Sequence, residues 1–131
     1  MFLFDLGLGL ILSVLTGFTL GREFSVLFLV VGIVSSIIPD WDMIPHLIIK
    51  RGKLDEWAHK HRDISHYPLL TIPVFSLISY FSFGPHYAVL TGIVIFVHYI
   101  LDTFGIGWGV KWLWPFSSRY FSYDKTIRKD K

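Results

Sequence analysis

Four stretches of this chain, residues 6–21, 24–38, 67–83 and 86–101, contain no lysine, arginine, aspartate or glutamate. A chain of 131 residues has too little interior to hide four such runs from water. With 53% hydrophobic and 18% aromatic residues, and a mean hydropathy of +0.55, the natural solvent is a bilayer. Each run, taken as a helix rising about 1.5 Å per residue, is roughly 24 Å long, and Phe2 to Phe4 can lengthen the first. The expected fold is therefore an all-α integral membrane protein of about four transmembrane helices. A membrane domain over residues 1–120 and a basic cytoplasmic tail over 121–131 follow from the same pattern.

Local signals set the breaks between runs. The N-terminus carries no positive charge ahead of its apolar stretch and no small-residue cleavage site after it, so it is not read as a removable signal peptide. Gly17 and Gly21 have the GxxxG spacing that allows close helix approach, a weak signal in a glycine-rich chain. Pro39 disfavours helix at the residue before it, which ends the second run and places Asp40 and Asp42 at its C-terminal mouth. Carboxylates there oppose the helix dipole, so they call for a compensating cation. Gly84-Pro85 is a turn between the third and fourth runs. The glycine-rich stretch 105–109 cannot continue the fourth helix comfortably, and the Trp-rich segment 111–116 suits a membrane–water interface.

Threading four helices in order puts residues 39–66 and everything after 102 on the same side as the N-terminus. Eleven of the twelve lysines and arginines then share that side, Arg22 being the exception. By the positive-inside rule this face is cytoplasmic, which gives a multi-pass inner-membrane protein with both termini and its site facing the cytoplasm. The basic tail is explained by this topology, and no nucleic-acid partner is expected. The partners expected are the lipid bilayer and an amphiphilic or anionic substrate.

Three of the six histidines, His59, His61 and His66, fall in the ten residues from Trp57 to His66. The threading brings this loop to the same boundary as Asp40, Asp42, His98 and Asp102, and Asp5 enters the first helix at that level. His98 and Asp102 are four residues apart, on one face of a helix, and His98 follows five apolar residues at a depth where an ionisable group usually faces a partner. Simple hydration of helix ends would be served by lysine or serine as well. The residue types found are those that bind divalent cations, and with no cysteine in the chain any ion must be held by nitrogen and oxygen. His46 and His86 lack such company and are assigned to structure or interface.

Read in order, Pro39-Asp-Trp-Asp42, His61-Arg-Asp-Ile-Ser-His66, His98-Tyr-Ile-Leu-Asp102 and Gly109-Val-Lys-Trp-Leu-Trp-Pro-Phe-Ser117 resemble the YdjM-like family. These are small multi-pass membrane proteins regarded as metal-dependent hydrolases. The family pattern, PDxD, HRxxTH, HxxxD and a WPFS-like ending, is matched over about residues 1 to 120. The resemblance implies a metal site drawn from Asp40, Asp42, His61, His66, His98 and Asp102, with Arg62 in the HR pair. Two departures stand out: Ser65 replaces the family's threonine, and the histidine often found near the family's N-terminus has no counterpart, leaving Asp5 as the nearest candidate.

The leading expectation is a hydrolase whose divalent ion, zinc by preference, is held by Asp42, His66, His98 and Asp102. Asp40 or His61 then serves as general base or orients a ligand histidine, and Arg62, with Arg119 less securely, neutralises a phosphate or other anion. The rival is a non-catalytic membrane protein whose ion staples the helix ends. The two differ at the coordination position that a catalytic ion keeps open. A channel or transporter fits less well, because the second and third runs carry no charge at mid-span.

Overall fold

The computed structural model describes residues 2–21, 25–41, 45, 48–49, 66–105 and 109–123. Four α-helices organise them: α1 (Phe2–Thr19), α2 (Val26–Ile37), α3 (Pro68–Phe83) and α4 (Pro85–Phe104). Each apolar run has become one helix, with ends set by local chemistry. α1 stops before Gly21, whose φ of 61° no β-branched residue would adopt easily, and the Leu20 and Gly21 amides close on the carbonyls of Thr16 and Phe18. α2 tightens into a 3-10 turn over Ile38–Asp40, so Pro39 lies inside that turn. Pro68 and Pro85 each occupy the first position of a helix, where the missing amide hydrogen costs nothing. α4 runs through Asp102 to Phe104 and stops at Gly105, as the spacing of His98 and Asp102 and the glycines after 104 lead one to expect.

Only α4, with 20 residues, is long and apolar enough among the described helices to cross a membrane; the other three are apolar but shorter. Their surfaces are inverted relative to a water-soluble bundle. Phe4, Phe18, Val26, Val34, Leu77 and Phe81 are exposed, while Ser13, Thr16, Ser35, Ser36, Ser79 and Thr91 are buried. Apolar side chains outward and paired hydroxyls inward is the distribution that lipid favours, because there each buried polar group must find its partner within the protein.

The chain divides into two compact units, one of residues 1–38 and 72–98, the other of residues 39–71 and 99–131. In the first, Phe28 and Val31 of α2 pack with Tyr87, Leu90 and Val94 of α4, and Leu12 of α1 closes over them. The Phe28 and Tyr87 rings meet edge to face at 5.2 Å. α1 and α2 approach closely at Gly9 and Gly32: a methyl group added to Gly32 would fall 1.8 Å from Ser13 Oγ, and one on Gly9 would fall 2.7 Å from the Gly32 carbonyl oxygen. The close approach expected at Gly17 and Gly21 is thus corrected. Gly17 has only ordinary contact with the Phe28 ring, and Gly21 faces open space.

The second unit is aromatic. Tyr67 stacks on Trp114 at 4.3 Å, and Tyr99 meets the Trp112 ring edge-on. Trp112 Nε1 donates to Thr103 Oγ1 at 2.9 Å. The chain after α4 returns along it, with Val110 and Phe121 exchanging two backbone hydrogen bonds of 3.0 Å. Gly109 makes that return possible: its φ is 83°, and a side chain there would strike the Phe121 carbonyl at 2.2 Å.

Candidate metal centre

The described ends of these elements deliver ionisable groups to one place. Asp40 closes the 3-10 turn after α2, His66 precedes α3 by two residues, and Asp102 sits in the last turn of α4. His66 Nε2 lies 2.9 Å from Asp102 Oδ2 and 3.5 Å from Asp40 Oδ1, so two carboxylates converge on a single ring nitrogen. His98 stands one helical turn before Asp102. Each of the four offers a ligand atom, and all four atoms lie within 4.8 Å of one another. The residues are between 0% and 7% exposed.

A neutral imidazole has at most one hydrogen on that nitrogen and cannot satisfy two carboxylates equally well. Bringing two ionised carboxylates together in a poorly solvated site also raises their mutual repulsion. A proton or a cation relieves both difficulties. With metal–ligand bonds of about 2.0–2.1 Å, tetrahedral ligands stand roughly 3.3–3.4 Å apart; the His66 spacings of 2.9 and 3.5 Å are near that value, and spacings toward the 4.8 Å limit must contract to accept an ion. Two imidazoles and two carboxylates are an oxygen–nitrogen donor set suited to a divalent transition metal, and the residues present fit such a group.

Surrounding contacts hold the histidines in place. The His66 ring meets Tyr99 edge-on at 5.4 Å. The Tyr99 hydroxyl is 2.7 Å from Thr71 Oγ1, and Thr71 in turn donates to the Tyr67 carbonyl at 2.9 Å. On α1, Asp5 Oδ1 lies 3.8 Å from His98 Nδ1, with both side chains buried. A carboxylate beside one ring nitrogen of a candidate ligand histidine can fix the ring's tautomer and orientation. The sequence points to Asp5 by its depth and by the missing N-terminal histidine of the family pattern. Tyr99, Thr71 and Thr103 were not singled out, although Tyr99 and Thr103 repeat the four-residue spacing of His98 and Asp102 one position along α4.

Of the residues expected to carry the chemistry, the structure brings together Asp40, His66, His98 and Asp102. Asp42, His61 and Arg62 lie outside the described residues, as do His46 and His59. His86 is at the start of α4, about 18 Å along the helix from His98. Arg119 lies on the segment that returns along α4.

Fold and site together define an apolar four-helix protein with a buried two-histidine, two-carboxylate group able to hold a metal ion. The chain belongs to the YdjM inner membrane protein family, whose model matches residues 5–131. No curated protein and no solved structure matches it.

Proposed function

We propose that the protein is a multi-pass, membrane-bound, metal-dependent hydrolase whose site faces the cytoplasm and acts on a lipid-linked phosphoester or similar amphiphilic substrate. The observation that carries this reading is the convergence of Asp40 and Asp102 on one nitrogen of His66, with His98 beside them. Membrane residence draws support from the family and from the outward apolar surface of the helices. The cytoplasmic side follows from the placement of eleven of the twelve basic residues.

In this reading His66, His98 and Asp102, with Asp42, hold the ion, which when bound polarises the bond under attack and acidifies water. Zinc suits the donor set. Asp40 accepts the proton of the attacking water, a role it shares with His61 if that side chain reaches the site. Arg62 neutralises the anionic charge of the substrate. Asp5 holds the His98 ring in orientation, and Tyr99 does the same for His66. The dry surroundings strengthen each of these electrostatic contacts.

The second reading, a structural ion that staples the helix ends, is favoured by the same convergence, since all four donors come from the protein. Elemental analysis of purified wild-type protein beside Asp102→Ala and Asp40→Asn, followed by a phosphoester panel, separates the two. Catalysis requires stoichiometric metal and turnover in the wild type, loss of both in Asp102→Ala, and retained metal with turnover reduced by about 100-fold or more in Asp40→Asn. Full metal without turnover on any phosphoester leaves the structural ion. A stable, metal-free wild type overturns both readings.

A further inference from the structure

The last turn of α4 and the returning segment frame an open cavity of about 260 Å3 lined by Thr103, Phe104, Arg119, Phe121, Ser122 and Tyr123. Its walls are fixed by the backbone: the Val110–Phe121 bridge holds one side, and the Tyr123 amide donates to the Thr103 carbonyl at 2.9 Å. The rings of Phe104, Phe121 and Tyr123 are exposed around it. Three exposed rings beside one guanidinium form a surface that is apolar and cationic at once.

Among the described residues, no ion pair takes up the charge at this cavity. The ion pairs among the described residues all involve His66 or His98, so none of them uses Arg119. Lys111, the other described cation of the segment, lies over the Tyr120 ring at 4.6 Å and does not line the cavity. The Thr103 hydroxyl donates to the Tyr99 carbonyl and accepts from Trp112, which leaves it little capacity for a ligand. The nearby C-terminal end of α4 disfavours an anion through its dipole. Recognition of an anion here therefore depends on Arg119.

We infer that this cavity binds the phosphate group of an amphiphile, with the Arg119 guanidinium on the phosphate oxygens and the three rings against the adjoining apolar part. A guanidinium presents paired donors that match phosphate geometry. The volume lies below the about 300–1,000 Å3 of sites that enclose a whole drug-sized ligand, so it suits a headgroup with its chains left outside. Thr103 follows Asp102 directly on α4, which puts the cavity next to the proposed metal ligands. The inference deepens the proposed function by naming how the substrate is held. It takes from that reading only the amphiphilic phosphate class and does not require the metal.

The test is a 31P NMR titration of the full chain in maltoside micelles, stripped of metal by a chelator. Three probes are compared: dihexanoyl phosphatidic acid, dihexanoyl phosphatidylcholine and inorganic phosphate. The wild type is expected to bind the phosphatidic acid at least about tenfold more tightly than either other probe. Arg119→Ala should lose at least about tenfold of that affinity, Arg119→Lys should lose less, and Lys111→Ala, which removes the same charge from the same segment, should bind as the wild type. Thermal unfolding of each variant checks that it is folded. A folded Arg119→Ala that binds like the wild type overturns the site, as does equal loss in Lys111→Ala. Inorganic phosphate binding as tightly as the lipid overturns the amphiphilic assignment. Because metal is absent throughout, failure here is distinct from failure of the hydrolase reading, which the metal and turnover measurements decide.

Discussion

The two compact units bury polar groups in different proportions. In the first, the hydroxyls are neutral and paired within or between helices: Ser35 donates to Thr91, Thr91 meets Ser79 at 2.8 Å, and Ser13 and Ser36 bond to carbonyls of their own helices. In the second, the buried groups are Asp40, His66 and Asp102, which converge on one another. A paired hydroxyl costs little to bury and ties helices together; an ionisable group costs far more and is kept where its charge has a use. The contrast separates hydroxyls that serve cohesion from ionisable groups that could hold an ion, and the first unit shares in the second kind through its buried Asp5–His98 pair.

That division can be broken at three points, taken from the largest expected effect to the smallest. Gly32→Val forces α1 and α2 apart at Ser13, and should destabilise the folded protein at the upper end of about 1–3 kcal/mol. Thermal unfolding in detergent measures this, and metal content per folded molecule should not change. If Gly32→Val stripped the metal while the helices stayed folded, cohesion and chemistry would not be separable. Asp5→Asn keeps the side-chain shape but removes the charge beside His98. Metal affinity in a competition with a chromophoric chelator should fall about 10- to 100-fold with little loss of stability, and Asp5→Glu should recover part of it. An unchanged affinity would remove Asp5 from the site. Thr91→Val removes the hydroxyl shared by Ser35 and Ser79 and should cost about 1 kcal/mol, again with metal binding intact.

Much of this architecture is legible in the residues. The four charge-free runs became four helices because an apolar segment must satisfy its own backbone when it leaves water. Pro39, Pro85 and the glycines from 105 mark boundaries to within a few residues, since their restrictions are local. His98 and Asp102 could be paired from spacing alone, because a helix fixes which side chains share a face. Gly9 and Gly32 could not be chosen from eleven glycines. Close approach depends on where along their length two helices meet, and the GxxxG spacing at Gly17 and Gly21 points to a level where a Phe28 ring, not backbone, faces α1.

The sequence by itself determined that the helices form, that polar groups gather at alternate helix ends, and that any ion held there has only nitrogen and oxygen ligands. Those are consequences of periodicity, connectivity and composition. Tertiary structure alone decided that Asp40 and Asp102 face the same nitrogen of His66, that Asp5 reaches His98, and that Arg119 lines a cavity with three aromatic rings. Such contacts join residues distant along the chain, and their distances depend on how helices rotate and approach. No local rule carries that information.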